Sequence, residues 1–448
     1  MPPPGSIRRD LRLSLGDAVG YGLMAGVAEV YLPAFALARG MRPVLAGLVA
    51  TAPLLAAGAL QLLAPRAIAR AQSLRGWVAG CMVAQAVAFV PLIVVALVGG
   101  PVIPLVFGAA ALYWSAGMAA SAGWNPWMTR VVPARIRGHF FGRRQGVLQA
   151  AMLVGLLGAG VALQGFADAH RVAHVYAAMF AIAMVARLGS ALMIMRQGDG
   201  LDRAPQRRTR LRSIPPRLRG TPRAGILGYL IASLAATAIS GPFLTPYLLH
   251  HEGLGYAGYS VFTAAIVVAK IAALPVLGRL IQRVGVRPVL TACALAIAPI
   301  PLLFLVSGQL PWLIATQVFA GVVWAGFELG MLMVLFEAQD DSERTTMQVA
   351  FTALQAIGTA AASLLGGALI VALGGGRTAY EWVFVASTIA RVAAVTLLIR
   401  ELPGIFARLP VLVVQRAWTV ALRPWGGTIV RPIVDGLERL GVTRRDRR

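Results

Sequence analysis

The stretch VVPARIRGHFFGRRQG, Val131 to Gly146, holds four arginines, and a fifth, Arg130, stands just before it. On either side the chain is almost wholly apolar. A cationic patch between two apolar runs belongs either to a nucleic-acid face or to the polar margin of a membrane. The rest of the chain decides between them. Of 448 residues, 58% are hydrophobic and only 13% charged, about half the charged share of a soluble domain. Apolar runs of about 20 residues recur, the length a helix needs to cross a bilayer.

Twelve runs can be drawn: 15–38, 43–64, 76–98, 102–124, 146–167, 173–196, 225–249, 257–278, 288–307, 311–337, 346–373 and 379–400. Helices are expected, because backbone groups in lipid need partners within their own segment and the alternation of a membrane barrel is missing. The first run follows a basic start, but it is too long for a cleaved signal and is interrupted by Glu29.

The 41 basic residues are all arginine except Lys270. Thirty-four lie before span 1, in loops joining an even span to the next odd one, or after span 12, with Arg196 and Arg400, the last residues of spans 6 and 12, counted with the segments that follow them. Only Arg39, Arg42, Arg171 and Arg377 lie in the opposite loops; Arg187, Lys270 and Arg391 fall within spans. Such a bias places both termini in the cytoplasm, in a bacterial inner membrane, with the arginines facing anionic lipid. The net charge of +24 is thus spread over seven segments on one side of a bilayer. It makes no single basic face of the kind that reads nucleic acid.

The longest polar interruption, residues 197–224, is rich in Arg and Pro and reads as a cytoplasmic linker between two six-span halves, 1–196 and 225–400. The halves echo one another. YAAMFAIAMVARLGSALMIMR from Tyr176 and YEWVFVASTIARVAAVTLLIR from Tyr380 match at Tyr176/Tyr380, Phe180/Phe384, Ala186/Ala390, Arg187/Arg391 and Arg196/Arg400, an offset of 204. Arg75/Arg287 and Cys81/Cys293 match at an offset of 212. An internal repeat in a polytopic protein suggests two bundles around a midplane site. Residues 401–448 mix apolar residues with Arg416 and Arg423 and read as a basic cytoplasmic tail, amphipathic on the membrane surface or disordered.

Three stretches resemble the major facilitator superfamily. GRLIQRVGVRP, after span 8, is similar to its cytoplasmic-loop motif, with Gly278, Leu280, Arg283, Gly285 and Arg287 in register. PARIRGHFFG, with Arg137 and Gly138, resembles the segment after span 4, and ERTTMQVAFTALQAIGTAAASLLGG resembles the start of span 11. The resemblance covers roughly residues 12–400. It implies an all-α membrane protein of twelve helices in two pseudo-symmetric six-helix bundles, and transport by alternating access. It also implies a cytoplasmic gate made from Arg137, Gly138, Gly278, Arg283, Gly285 and Arg287, with Glu337 and Arg344 at the end of span 10. The chain departs from the family at Gln282, where the loop motif has an acid, and in the first-half loop LQLLAPRAIARAQSLRG, which is degenerate. Span 5 lacks Gly-Pro and span 4 lacks an intramembrane Arg, which moves the chain away from drug exporters. AGVAEVYLPAFALARG and YWSAGMAASAGWNPWM resemble a bacterial branch of the superfamily, without naming a cargo.

An ionisable group within a span costs roughly 2.5–3.5 kcal/mol on insertion scales and usually faces a cavity or a partner. Glu29 in span 1, Lys270 in span 8 and Glu328 in span 10 are therefore the candidates for substrate and proton binding. The resemblance puts spans 1, 4, 7 and 10 around the cavity, so all three are expected to share one aqueous space, with a Glu as proton carrier. The competing reading is a structural Lys270–Glu pair. Asp17 reads as a complement to the helix dipole, Arg187 and Arg391 as structural, and Trp124 and Trp127 as an interfacial belt. Pro242 and Pro246 suggest a kink in span 7, and His250 and His251 follow it in a loop.

No Ser/His/Asp set, P-loop or zinc spacing stands out, so neither an enzyme nor a cofactor or metal site is expected. The expected function is secondary active transport of a small solute, coupled to protons, by a monomer. A flippase for lipid or lipid-linked cargo and a non-transporting scaffold or sensor are the alternatives.

Overall fold

The computed structural model describes residues 4–61, 63–71, 73–98, 102–133, 136–166, 169–198, 222–336 and 341–401. The linker and the basic tail thus lie, apart from their edges, outside the described residues. Among the described residues every regular element is a helix. Eleven helices are long and apolar enough to cross a membrane: Ile7–Ala38, Leu74–Val98, Ile103–Trp124, Phe140–Gly165, Arg171–Met195, Gly225–His251, Tyr256–Ile281, Val286–Val306, Leu310–Met331, Phe351–Ala372 and Arg377–Leu398. They are spans 1 and 3 to 12.

Span 2 departs from the expected single helix. It is two short helices, Pro43–Leu48 and Leu54–Gln61, joined by a turn. Pro53 has no N–H to offer the carbonyl of Val49, so the α-helical ladder stops there. The chain bridges the gap with tighter i−3 bonds, Leu54 N–H to Thr51 O at 3.0 Å and Leu55 N–H to Ala52 O at 3.1 Å.

The internal repeat reappears in the packing. Span 1 lies on spans 5 and 6, and span 7 lies on spans 11 and 12. Span 4 lies on spans 2 and 3, and span 10 on spans 8 and 9. The two bundles meet where span 5 packs on span 8 and span 2 on span 11. With no water to expel between helices in lipid, close approach depends on small residues. Gly22 and Gly26 accordingly sit against the carbonyls of Leu148 and Met152 on span 5. Across the repeat, Gly155 of span 5 meets Leu23 O and Val27, while Gly366 of span 11 meets Ile239 O and Phe243. Those contacts set spans 1 and 7 in register at an offset of 216.

Both of these spans lose regular geometry at the same height. Span 1 opens into a π-turn over Ala25–Glu29. Pro33 lies four residues beyond Glu29, so the Glu29 carbonyl has no i+4 donor and the ladder slackens at the acid itself. Span 7 tightens to a 3-10 turn over Gly241–Phe243 at Pro242, then widens to a π-turn over Tyr247–His251 after Pro246. The kink expected at the two prolines is therefore a pair of local ladder changes, and His250 and His251 close the span rather than occupying a loop.

Candidate transport site

Glu29 stands at the end of the π-turn, half-buried. The Tyr113 hydroxyl of span 4 donates to its Oε2 at 2.6 Å. Tyr113 is itself buried against Phe89, with ring centroids 5.5 Å apart. One carboxylate from span 1 and one phenol from span 4 thus meet inside the first bundle, at the slack turn of the ladder.

In the second bundle, Lys270 Nζ donates to Glu328 Oε1 at 2.6 Å. Gly321 lets span 10 come down on Ala269 and the Ile266 carbonyl of span 8. Glu328, two helical turns further on, then arrives opposite Lys270. The pair is open to its surroundings, with side chains 21% and 46% exposed. The structure therefore pairs Lys270 with Glu328 and gives Glu29 a different partner in the other bundle. The three do not join in one hydrogen-bonded set.

A third polar group comes together at Asp17, which by sequence reads as a dipole complement. Asp17 is 1% exposed. Arg144 Nη2 of span 5 donates to its Oδ2 at 2.6 Å, and Arg187 Nη1 of span 6 lies 3.9 Å from Oδ1. Arg187 Nε also donates to Gln85 Oε1 of span 3 at 2.7 Å, and its guanidinium lies 5.0 Å from the centre of the Tyr21 ring. Arg144 covers the face of Trp124 at 4.3 Å. Trp124 is thus a partner of a cation, and Trp127, 1% exposed, is core. Trp127 is therefore core rather than part of the interfacial belt expected of it. The signal that would have found the cluster is an acid one turn from Tyr21 in the apolar run 15–38, whose other charged residue is Glu29.

The expected gate residues are distributed as follows. Arg137 and Gly138 open the helix Arg137–Gly165, so the segment after span 4 is the first turns of span 5 rather than a loop. Gly278 faces open space. Gly285 joins spans 8 and 9 at φ +91°, a conformation that a side chain resists. Arg283 lies in the last turn before it, and the Arg287 carbonyl accepts from Thr291 Oγ1 at 2.9 Å. Arg344 lies on the helix Asp341–Ala372. Glu337 lies outside the described residues.

Comparison with known proteins finds likenesses in one family model and in solved structures. A family model described as Major Facilitator Superfamily matches residues 225–425. The structure is similar to a point mutant of the nucleoside transporter NupG, with a TM-score of 0.68 and 13% identity, covering 87% of this chain and 100% of that one. It is similar to NupG itself at 0.63 and 11%, covering 89% and 99%. It is also similar to FucP, a Major Facilitator Superfamily transporter in the outward conformation, at 0.60 and 15%, covering 87% and 98%. No curated protein matches in sequence. The family's model thus matches the second bundle, and the fold shared with these solved transporters extends over both bundles.

Proposed function

We propose that the chain is a proton-coupled carrier of a small, polar, hydrogen-bonding solute, working by alternating access with its termini in the cytoplasm. The observation that carries this reading is the Glu29–Tyr113 contact. An acid is costly in a span, and here it sits at a break in the helix, held by one phenol and by no basic partner at hydrogen-bonding distance among the described contacts. A carboxyl so placed can take up and release a proton as its partners change. The half-open Lys270–Glu328 pair supplies a donor and an acceptor from the second bundle for a polar solute. The basic residues at the terminal end support the orientation, and the likeness to the nucleoside transporter NupG makes nucleosides a sensible first panel of solutes. Uptake of such a panel into proteoliposomes, with and without an imposed proton gradient, tests the reading. Concentrative uptake abolished by a protonophore is expected. Uptake indifferent to the gradient contradicts proton coupling.

A further inference from the structure

At the end of the molecule away from Pro4 and Glu401, three hydrogen bonds among the described residues cross between the bundles. The Tyr31 hydroxyl of span 1 and Ser260 Oγ of span 8 lie 2.6 Å apart. The Tyr259 hydroxyl donates to Val30 O at 3.3 Å, and Ala257 N–H donates to Gln164 Oε1 at 3.2 Å. The Tyr31 and Tyr259 rings also meet edge to face, 5.9 Å apart.

Tyr31 is at the centre of the group. It is fully buried, and its hydroxyl also donates to the Leu156 carbonyl of span 5 at 2.7 Å. Ser260 Oγ reaches the Tyr256 carbonyl of its own helix at 2.6 Å. Two hydroxyl protons thus serve three contacts, two at a time. The pair rests on Gly160 of span 5: a Cβ added there would collide with Ser260 and stand 2.8 Å from the Tyr31 hydroxyl. Gly160 has no positive φ to explain it. What it provides is room.

We propose that Tyr31, Ser260 and Gly160 form a latch that closes the far end of the transport pathway, the outer face in the orientation given above. The proposal rests on the alternating-access reading, since a latch has a purpose only if the bundles part. To open that end, span 8 must leave span 5, and the hydroxyl pair must come out of a dry seat. A bulkier residue at 160 keeps the seat from forming and favours the open state. Loss of the Tyr31 hydroxyl leaves the seat intact but weakens it.

Spin labels at Arg42→Cys and Thr378→Cys, exposed positions at the far end of each bundle, report the separation, with Cys81 and Cys293 replaced by Ala. Distances are read by pulsed electron resonance in nanodiscs without solute. Gly160→Val is expected to raise the ratio of long to short distances about tenfold or more, and Tyr31→Phe to move it the same way by less. Gly158→Val, on the same helix but facing open space, leaves it unchanged. Distances in Gly160→Val and Tyr31→Phe that match the parent overturn the latch. Because the measurement uses no solute, a latch that opens as expected in a protein that moves no solute would refute the transport reading instead.

Discussion

Arg391 Nη1 donates to the Ile297 carbonyl at 3.0 Å, in the place where Arg187 Nε donates to Gln85 Oε1. The two arginines are 204 residues apart and their partners 212, the same offsets at which the two halves of the sequence echo each other. Each arginine ties the last span of its bundle to the third. The bundles differ in what lies beyond. Arg187 also faces Asp17, whereas the position 216 residues after Asp17 is Ser233. The second bundle folds without an acid there, so the acid belongs to the first bundle's own chemistry.

Asp17→Ala leaves Arg144 and Arg187 buried with less compensation. Breaking a buried pair from one side costs about 3–5 kcal/mol. Unfolding in detergent should show a loss of that order for Asp17→Ala. The double variant Asp17→Ala/Arg144→Ala should regain part of it, with a coupling energy above about 1 kcal/mol.

Glu29→Gln keeps the shape of the site but cannot release a proton. It is expected to exchange solute across the membrane and to fail to concentrate it. Tyr113→Phe removes a hydrogen bond to a charged group, worth about 1.5–3 kcal/mol. A fall in uptake kcat/KM of roughly 10–100-fold is expected if the bond is made in the rate-limiting state, with coupling retained.

The half-exposed Lys270–Glu328 pair contributes little to stability, about 0–1 kcal/mol. Lys270→Met and Glu328→Gln should therefore leave the unfolding midpoint close to the parent. Each should lower solute uptake about tenfold or more. A large loss of folded protein with uptake per molecule unchanged would assign the pair to structure.

Gly285→Ala forces a side chain to φ +91° and ψ 164°, a region essentially confined to glycine. The cost is of order 1–3 kcal/mol, read as a lower thermal midpoint, while Gly278→Ala, with open space around it, should leave the midpoint near the parent.

The sequence made the spans and the repeat readable because lipid imposes length and composition on every crossing. Pro53 was visible, but its effect on span 2 was not, since prolines in other spans, such as Pro275, are absorbed within a continuous helix. The pairing of Lys270 with Glu328 was one of two open readings. The Asp17–Arg144 pair was not legible. It joins residues 127 apart, and Arg144 lies in an arginine-rich stretch that reads as a loop but folds as the first turns of span 5. Tyr113, the partner of Glu29, gave no signal either, because one tyrosine in an apolar run has no periodicity to mark it. Tertiary contacts between single polar groups leave no pattern along the chain, whereas the solvent of the fold does.

The central claim is that Glu29 carries the coupling proton. It is tested most directly in proteoliposomes holding the parent or Glu29→Gln, with solute accumulation and internal pH followed together under an imposed proton gradient. The account predicts that the parent concentrates solute and moves protons with it, while the variant only equilibrates solute and moves none. Equal accumulation and equal proton movement in the two proteins would contradict it.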